Sequence, residues 1–167
     1  MSGFLHGGSA LTLDIGVKNT TGLSLQRGDI VQIALLNSDS ADGYNVVIPS
    51  IANDTIGQHA PYGVVQAPVG LEIPNTEEMI VRIMGVTDIS AQVDTATAYT
   101  RDTISTPNTA GGAGVRCTLD ASVAVGATNG AAGLQQFVRA HAVILETKTT
   151  AGNGTREWVN CFWNGLP

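Results

Sequence analysis

The sequence contains few charged side chains, and positive ones are the scarcer kind. Charged residues make up 13% of the 167 residues, about half the share of an ordinary soluble domain. Eight Lys and Arg residues face 14 Asp and Glu residues, which gives a net charge of −6. Nucleic-acid binding needs a cationic track that neutralises phosphates, and a membrane-surface helix needs a basic face. We therefore expect neither nucleic acid nor a membrane as a partner.

Long apolar runs, signal sequences and cysteines are also missing or rare. No run approaches the roughly 20 apolar residues of a membrane-spanning helix. The first ten residues lack the charged and then apolar pattern of a secretory signal, so we expect the chain to act where it is made or inside an assembly built there. Cys117 and Cys161 are too few for a disulfide framework. Burial as two small apolar side chains is favoured, and a disulfide between them stays open.

The chain does contain many short β-branched runs separated by Gly, Asn, Asp and Pro. They lie at residues 30–36, 44–51, 62–69, 79–86, 115–119, 122–125, 137–146 and 157–162. Many short strands with turn signals between them are typical of a β-barrel or β-sandwich. No window of a dozen residues keeps an uninterrupted helical period. The sequence therefore predicts an all-β domain of short antiparallel strands, with long Gly/Thr/Ala-rich loops and little helix.

Two segments have little side-chain area with which to fill a core. Residues 1–10 are rich in Gly around Phe4 and Leu5, and residues 95–114 are rich in Thr, Ala and Gly. Such composition supports little burial within the segment itself. We predict an N-terminal arm over residues 1–22 and a β-barrel domain over residues 23–167. Residues 95–114 either form a loop inserted in this barrel, which we favour, or divide two sub-barrels.

The motifs that would indicate an enzyme are incomplete. Gly111-Gly112-Ala113-Gly114 lacks the Lys and Ser/Thr of a phosphate-binding loop. No GxSxG nucleophile motif occurs, and no HExxH zinc motif. The Asp-rich stretch 39–43 lacks the Glu that would complete a calcium loop, because Pro49 occupies that position. We expect no catalytic residue, no metal and no cofactor, and we do not expect an enzyme.

Two further motifs are interpreted as turns. Arg27-Gly28-Asp29 matches a cell-adhesion tripeptide, but it directly precedes a β-branched run, where Gly and Asp favour a turn. Asn153-Gly154 lies between the last two runs and supplies the positive φ angles of a tight turn.

The C-terminal strand carries an aromatic cluster. Strand alternation places Trp158 and Phe162 on one face and Trp163 on the other. Either this strand is central and covered on both faces, or one face meets another chain, since aromatic side chains are enriched at interface hot spots. Arg116 and Arg139 each stand alone in an apolar run, which suggests ion pairing or a subunit boundary. The predicted interface residues are Phe4, Leu5, Arg116, Arg139, Trp158, Phe162 and Trp163.

The order of these strand motifs is similar to that of a known family. The motifs are Arg27-Gly28-Asp29-Ile30-Val31, then Pro61-Tyr62-Gly63-Val64-Val65, then Val81-Arg82-Ile83-Met84-Gly85-Val86-Thr87, then Val125-Gly126 through Arg139-Ala140-His141-Ala142-Val143 and Glu146, and last Trp158-Val159-Asn160-Cys161-Phe162. In this order they resemble the capsid cement, or decoration, proteins of tailed bacteriophages over roughly residues 27–164.

The resemblance implies a structural role. It implies a β-barrel, commonly trimeric, that binds the outer surface of an icosahedral capsid over junctions between major capsid protein subunits. The partners would be the major capsid protein and further copies of the chain, the location would be the virion exterior, and assembly would occur in the host cytoplasm. The family has no catalytic residues to transfer to this sequence.

Two other classes of protein are alternatives to this one. A carbohydrate-binding β-sandwich module of a tail or fibre protein would need an aromatic platform, for which Trp158 and Trp163 are the strong candidates. A small trimeric β enzyme, such as a nucleotide hydrolase, would need an acidic cluster with metal and phosphate ligands, and the sequence does not supply that cluster.

Overall fold

The described part of the chain is built entirely from strands and connecting segments. The computed structural model describes residues 11–34, 44–49, 61–105, 107–108, 118–119 and 141–166, and these residues contain no helix. The strands are β1 (Leu13–Asn19), β2 (Ile30–Ala34), β3 (Tyr44–Val47), β4 (Tyr62–Gln66), β5 (Glu78–Ser90), β6 (Ala98–Tyr99), β7 (Ile104–Ser105), β8 (Pro107–Asn108), β9 (Thr118–Leu119), β10 (His141–Ile144), β11 (Lys148–Thr149) and β12 (Trp158–Asn164). The predicted all-β class is confirmed.

Five strands close into a barrel. The hydrogen-bonded order is β1-β3-β2-β4-β5, and β5 also pairs with β1, which closes the ring. The β1–β3 pair is parallel, while β3–β2, β2–β4, β4–β5 and β5–β1 are antiparallel. Closure leaves the barrel strands without long unpaired edges.

The barrel interior follows from alternation along each strand. Val31 and Ile33 of β2 point inward, as do Met79, Val81 and Ile83 of β5, because every second side chain of a strand faces the same way. The interior cluster consists of Val17, Leu25, Val31, Ile33, Val46, Val65, Ala67, Ile73, Met79, Val81 and Ile83.

A second core lies on the outside of the barrel wall formed by β2 and β4. Ile30 and Val64 belong to this second core, while their neighbours Val31 and Val65 belong to the barrel interior. The second core consists of Ile30, Tyr62, Val64, Ile89, Ala91, Tyr99, Leu119, Ala142, Ile144, Val159, Cys161 and Trp163. The same two strands therefore contribute one face to each core.

Strand β5 carries the chain from one core to the other. Its first half pairs with β1 and β4, and its second half pairs with β12, which in turn pairs with β10. Gly85 lies at the change of partner with a φ of 127°, and a Cβ there would come within 2.8 Å of Thr12 Cγ2. Glycine at this position lets β5 continue past the end of the barrel without a steric clash.

The predicted boundary between arm and barrel needs correction. Residues 13–19, inside the segment predicted as an arm, form barrel strand β1. The physical reason is alternation, since Val17 is buried in the barrel interior and Ile15 packs against the same cluster. Residues 1–10, which include Phe4 and Leu5, lie outside the described residues.

The predicted loop at 95–114 is structured in its described part. It contains β6, β7 and β8, which pair with β11, β10 and β9. Tyr99 of β6 is 1% exposed and donates its hydroxyl to Leu119 O at 2.9 Å. One aromatic side chain thus ties this Thr- and Ala-rich segment to the second core.

Candidate functional site

The outward side of the sheet formed by β5, β12 and β10 carries an apolar centre. Val86 of β5 lies directly opposite Phe162 of β12, and Phe162 lies directly opposite Val143 of β10. Partners in a register share a face, so three apolar side chains form a row across three strands. Val86 is 38% exposed and Phe162 is 36% exposed, while Val143 is half-buried. The row is therefore open to a partner.

The row extends along β5. Met84 stands two residues before Val86 on the same side, and Ile80, farther along that side, is 53% exposed. On β12, Trp158, Asn160 and Asn164 alternate with buried residues and share the side of Phe162. The outer sheet face is here defined as Ile80, Arg82, Met84, Val86, Asp88, Val143, Trp158, Asn160, Phe162 and Asn164, and its apolar centre as Met84, Val86, Val143 and Phe162.

Arg82 supplies one charge of the outer sheet face, and that charge is matched within the chain. Its Nε and Nη2 donate to the two Asp14 carboxylate oxygens at 2.8 and 2.9 Å. The hydrogen bond from Arg82 holds the pKa of Asp14 below its ordinary value. Arg82 Nη1 also donates to Val86 O at 2.6 Å. The bidentate pair fixes the guanidinium over the backbone of β5.

Asp88 supplies the second charge of the outer sheet face, and Arg27 neutralises it within the chain. Arg27 Nη2 donates to Asp88 Oδ2 at 2.7 Å, and Asn160 Nδ2 donates to Asp88 Oδ1 at 3.1 Å. Burial opposes ionisation of Asp88, but the hydrogen bonds from Asn160 and Arg27 outweigh it and lower its pKa. The outer sheet face therefore presents apolar groups between two internally neutralised ion pairs.

The structure separates the predicted aromatic cluster into a surface part and a core part. Trp163 is fully buried, and its Nε1 donates to Tyr62 O at 3.3 Å. Trp158 is half-buried, and its Nε1 donates to Arg27 O at 3.0 Å. The alternation of Trp158 and Phe162 against Trp163 is confirmed.

This division bears on two of the sequence predictions. Trp163 is corrected from an interface residue to a core residue, because it fills the second core. Trp163 therefore offers no exposed platform on which a sugar ring could stack, whereas Trp158 is half-buried on the outer side of β12. The other predicted interface residues, Phe4, Leu5, Arg116 and Arg139, lie outside the described residues.

The Arg27-Gly28-Asp29 tripeptide is a structural turn in which Gly28 and Asp29 are buried. The Asp29 side chain is 1% exposed and pairs with Arg156, whose Nη1 lies 2.8 Å from Asp29 Oδ1. Arg156 Nη1 also donates to Arg27 O at 3.1 Å, and Asp29 Oδ2 accepts the Gln26 amide at 2.7 Å. An adhesion receptor would need that carboxylate at the surface, so the predicted turn is the correct interpretation.

Beyond the outer sheet face, the described residues offer no cluster of metal ligands. No group of three or more His, Cys, Asp and Glu among them could hold a metal ion. A surface groove of about 350 Å³ beside β1 and β5 has Glu78 as its ionisable lining residue among those described. Cys161 is a free, buried thiol whose pKa is raised by burial. Across the same residues, no helix is both long and apolar enough to traverse a bilayer.

Sequence reasoning missed most of the outer sheet face. Val86, Met84 and Val143 were seen only as members of apolar runs, because Ile80-Val81 and Ile83-Met84 read as continuous apolar pairs. The structure shows a period of two over residues 79–89, in which odd positions are buried and even positions are not. Apolar Ile80, Met84 and Val86 at even positions hide this period in the sequence.

Comparison with known proteins does not assign a function to the chain. Searches against models of protein families, against curated proteins and against solved structures found no match. Function is therefore argued from this chain's own residues.

Proposed function

We propose that this chain is a non-enzymatic structural protein of a bacteriophage virion, which binds the outer surface of an icosahedral capsid and cements neighbouring major capsid protein subunits. The observation that carries the proposal is the outer sheet face, where an apolar centre lies between ion pairs that are already neutralised within the chain. Such a surface is suited to contact with other proteins rather than to chemistry.

The closed barrel supports this role as a rigid base. Its wall strands β2 and β4 are buried on both sides, and β12 is tied to β5 over seven residue pairs, from Trp158 to Asn164. A rigid element that touches several capsid subunits gains from effective concentration, so many weak contacts act together. The order of strand motifs resembling capsid cement proteins points in the same direction.

In this proposal residues 1–10, with Phe4 and Leu5, contact the capsid as an arm. Deleting residues 1–10 removes none of the described core residues, because the barrel cluster begins with Ile15 and Val17. We expect the shortened chain to stay folded by circular dichroism and to bind purified heads more weakly, measured as occupancy in a sedimentation assay.

The matched control keeps the full length and replaces only the two large side chains, as Phe4→Ser with Leu5→Ser. This variant should lose head binding to a similar extent if apolar contact is the cause. Unchanged occupancy for the shortened chain would contradict the proposed arm, and no binding of the intact chain to any phage head would contradict the proposed function.

A further inference from the structure

We propose that residues 1–10 fold back in the free chain and cover the apolar centre of the outer sheet face until a capsid displaces them. Phe4 and Leu5 make the contact. The inference deepens the proposed function, on which it rests for the displacing partner, because it names how the same surface is kept covered before assembly. Its support comes from where the described chain begins and from the length, charge and size of the segment.

The described chain begins at the edge of the apolar centre. Leu13 of β1 lies opposite Met84 of β5, and partners in a register share a face. Leu13 therefore extends the apolar centre by a side chain that is 42% exposed. Leu11, two residues earlier, is 73% exposed, and its carbonyl oxygen would lie 3.0 Å from a Cβ on Gly85. The preceding segment thus joins the barrel directly beside the apolar centre.

The segment is long enough to reach the whole apolar centre. Leu5 stands six positions before Leu11, which allows a span of about 20 Å. The distance from β5 across β12 to β10 is about 10 Å, or two strand spacings. Gly7 and Gly8 lie between the two leucines, and glycine accepts φ angles of either sign at little cost, so the chain can turn there toward the sheet.

Charge does not oppose this occupant. Residues 1–10 contain no Asp, Glu, Lys or Arg. The net charge of −6 therefore adds no repulsion between the segment and the face, and neither does the exposed carboxylate of Glu78 on the same side of β5. Arg82 and Asp88, which border the apolar centre, are already paired within the chain. An uncharged apolar segment can thus cover the face at low electrostatic cost.

The apolar centre has the size of one aromatic and one aliphatic side chain. Each outward residue occupies about 4.8 by 6.6 Å of a sheet, so the four residues of the centre and Leu13 cover roughly 160 Å². A buried aromatic side chain accounts for about 150–250 Å². The area is far below the roughly 800 Å² that each partner of a stable complex buries. A tethered segment needs less, because the tether gives an effective concentration on the order of millimolar.

The test is binding of the apolar dye anilinonaphthalene sulfonate to the full chain. If Phe4 and Leu5 cover the apolar centre, Phe4→Ser/Leu5→Ser exposes it, and we expect dye fluorescence to rise at least about threefold. If the two side chains were themselves exposed, their loss would lower dye binding. The matched control is Val69→Ser/Leu71→Ser, which removes two side chains that are 68% and 51% exposed on the turn 68–71. Dye fluorescence should not rise in this control.

A second variant locates the covered surface. Val86 and Phe162 point away from the second core, so Val86→Thr/Phe162→Thr removes apolar area from the outer sheet face without opening a core. Added to Phe4→Ser/Leu5→Ser, it should cancel the rise in dye fluorescence. Nuclear Overhauser contacts between the Phe4 ring and the Val86 methyl groups of the full chain measure the same contact directly, and they should vanish in Phe4→Ser. If circular dichroism shows a variant to be unfolded, these contacts decide.

Each outcome decides the inference. Dye fluorescence that falls or stays unchanged in Phe4→Ser/Leu5→Ser overturns it. A rise that survives Val86→Thr/Phe162→Thr also overturns it, because another surface is then the covered one. Overhauser contacts that appear only between differently labelled chains overturn it too, since the occupant would come from a second copy. Head binding is measured separately: a docked segment without head binding defeats only the proposed function, and head binding without a docked segment defeats only the inference.

Discussion

Gly28 shows how much a single residue contributes to this fold. Its φ is 84°, and a Cβ at this position would lie 2.8 Å from Ser90 N and 2.8 Å from Trp158 Cδ1. Ser90 N donates to Gly28 O at 2.8 Å, so the backbone of β5 cannot retreat without losing that bond. Gly28 therefore combines a left-handed conformation with close backbone contact.

Replacing Gly28 should therefore lower the free energy of unfolding more than replacing a glycine that has a left-handed conformation but no close contact with its surroundings. We expect Gly28→Ala to lower the free energy of unfolding by about 3 kcal/mol, the sum of left-handed strain and steric overlap. Gly22→Ala is the control, because Gly22 has a φ of 80° and open space around it, and its cost should be about 1 kcal/mol. Urea unfolding measures both values, and equal losses would contradict the steric part.

Residue-scale chemistry was only partly predictable from the sequence. The Gly-Asp pair after Arg27 predicted a turn, and the structure places a turn there. The sequence could not show that Asp29 meets Arg156 of a segment more than 100 positions away, because that contact depends on how the barrel and β12 pack. For the same reason it could not tell that Trp163 is in the core while Phe162 is at the surface until the covered face of β12 was known.

At the scale of elements, strands with continuous apolar runs were predictable and an alternating strand was not. The runs beginning at Ile30, Tyr62 and Met79 coincide with β2, β4 and β5. Strand β1 was missed because Asp14, Gly16 and Lys18 interrupt its apolar residues, although Leu13, Ile15 and Val17 alternate with them. The predicted strand at residues 79–86 is shorter than the observed one. Strand β5 continues to Ser90 with β12 as its new partner, because Gly85 lets the strand pass the end of the barrel.

The ion pair between β1 and β5 makes stability depend on pH. Asp14 has a pKa below its ordinary value, first because Arg82 hydrogen-bonds its carboxylate. A carboxyl group whose folded pKa is depressed contributes stability above its unfolded pKa of about 3.9, and this stability is lost as pH falls through the folded pKa. We expect Arg82→Gln to reduce the loss of unfolding free energy between about pH 5 and pH 3.

Urea unfolding at a series of pH values checks this expectation. The effect should be modest, because the Asp14 side chain is 35% exposed and solvent screens the pair. Arg101→Gln is the matched control, since Arg101 and Asp102 are 3.8 Å apart and both largely exposed. A pH dependence in Arg82→Gln that is the same as in the wild type would show that the pair does not link β1 to β5 energetically.

At the scale of the whole molecule, the two cores share their walls. Ile30 and Val31 are neighbours in β2 but belong to different cores, and so do Val64 and Val65 in β4. Strand β5 contributes Val81 to the barrel interior and Ile89 to the second core. Loss of either core would therefore expose one face of strands that the other core needs.

This sharing predicts a single unfolding transition, which two probes can test. The two tryptophans, Trp158 and Trp163, both lie in β12, outside the barrel interior. Their fluorescence therefore reports on the sheet around the second core. Far-ultraviolet circular dichroism, in contrast, reports on all strands. Ile33 is 2% exposed and lies in the barrel interior. We expect Ile33→Ala to lower the unfolding free energy by about 3 kcal/mol and to move the fluorescence midpoint as far as the circular dichroism midpoint.

Ile144→Ala is the matched control, because Ile144 is fully buried in the second core. It should lower both midpoints together, as Ile33→Ala does, since β2, β4 and β5 cannot lose one covered face and keep the other. If Ile33→Ala moved the circular dichroism midpoint and left the fluorescence midpoint in place, the barrel would unfold alone. The shared walls would then not couple the cores, and the rigidity on which the proposed capsid contact depends would have to come from the capsid itself.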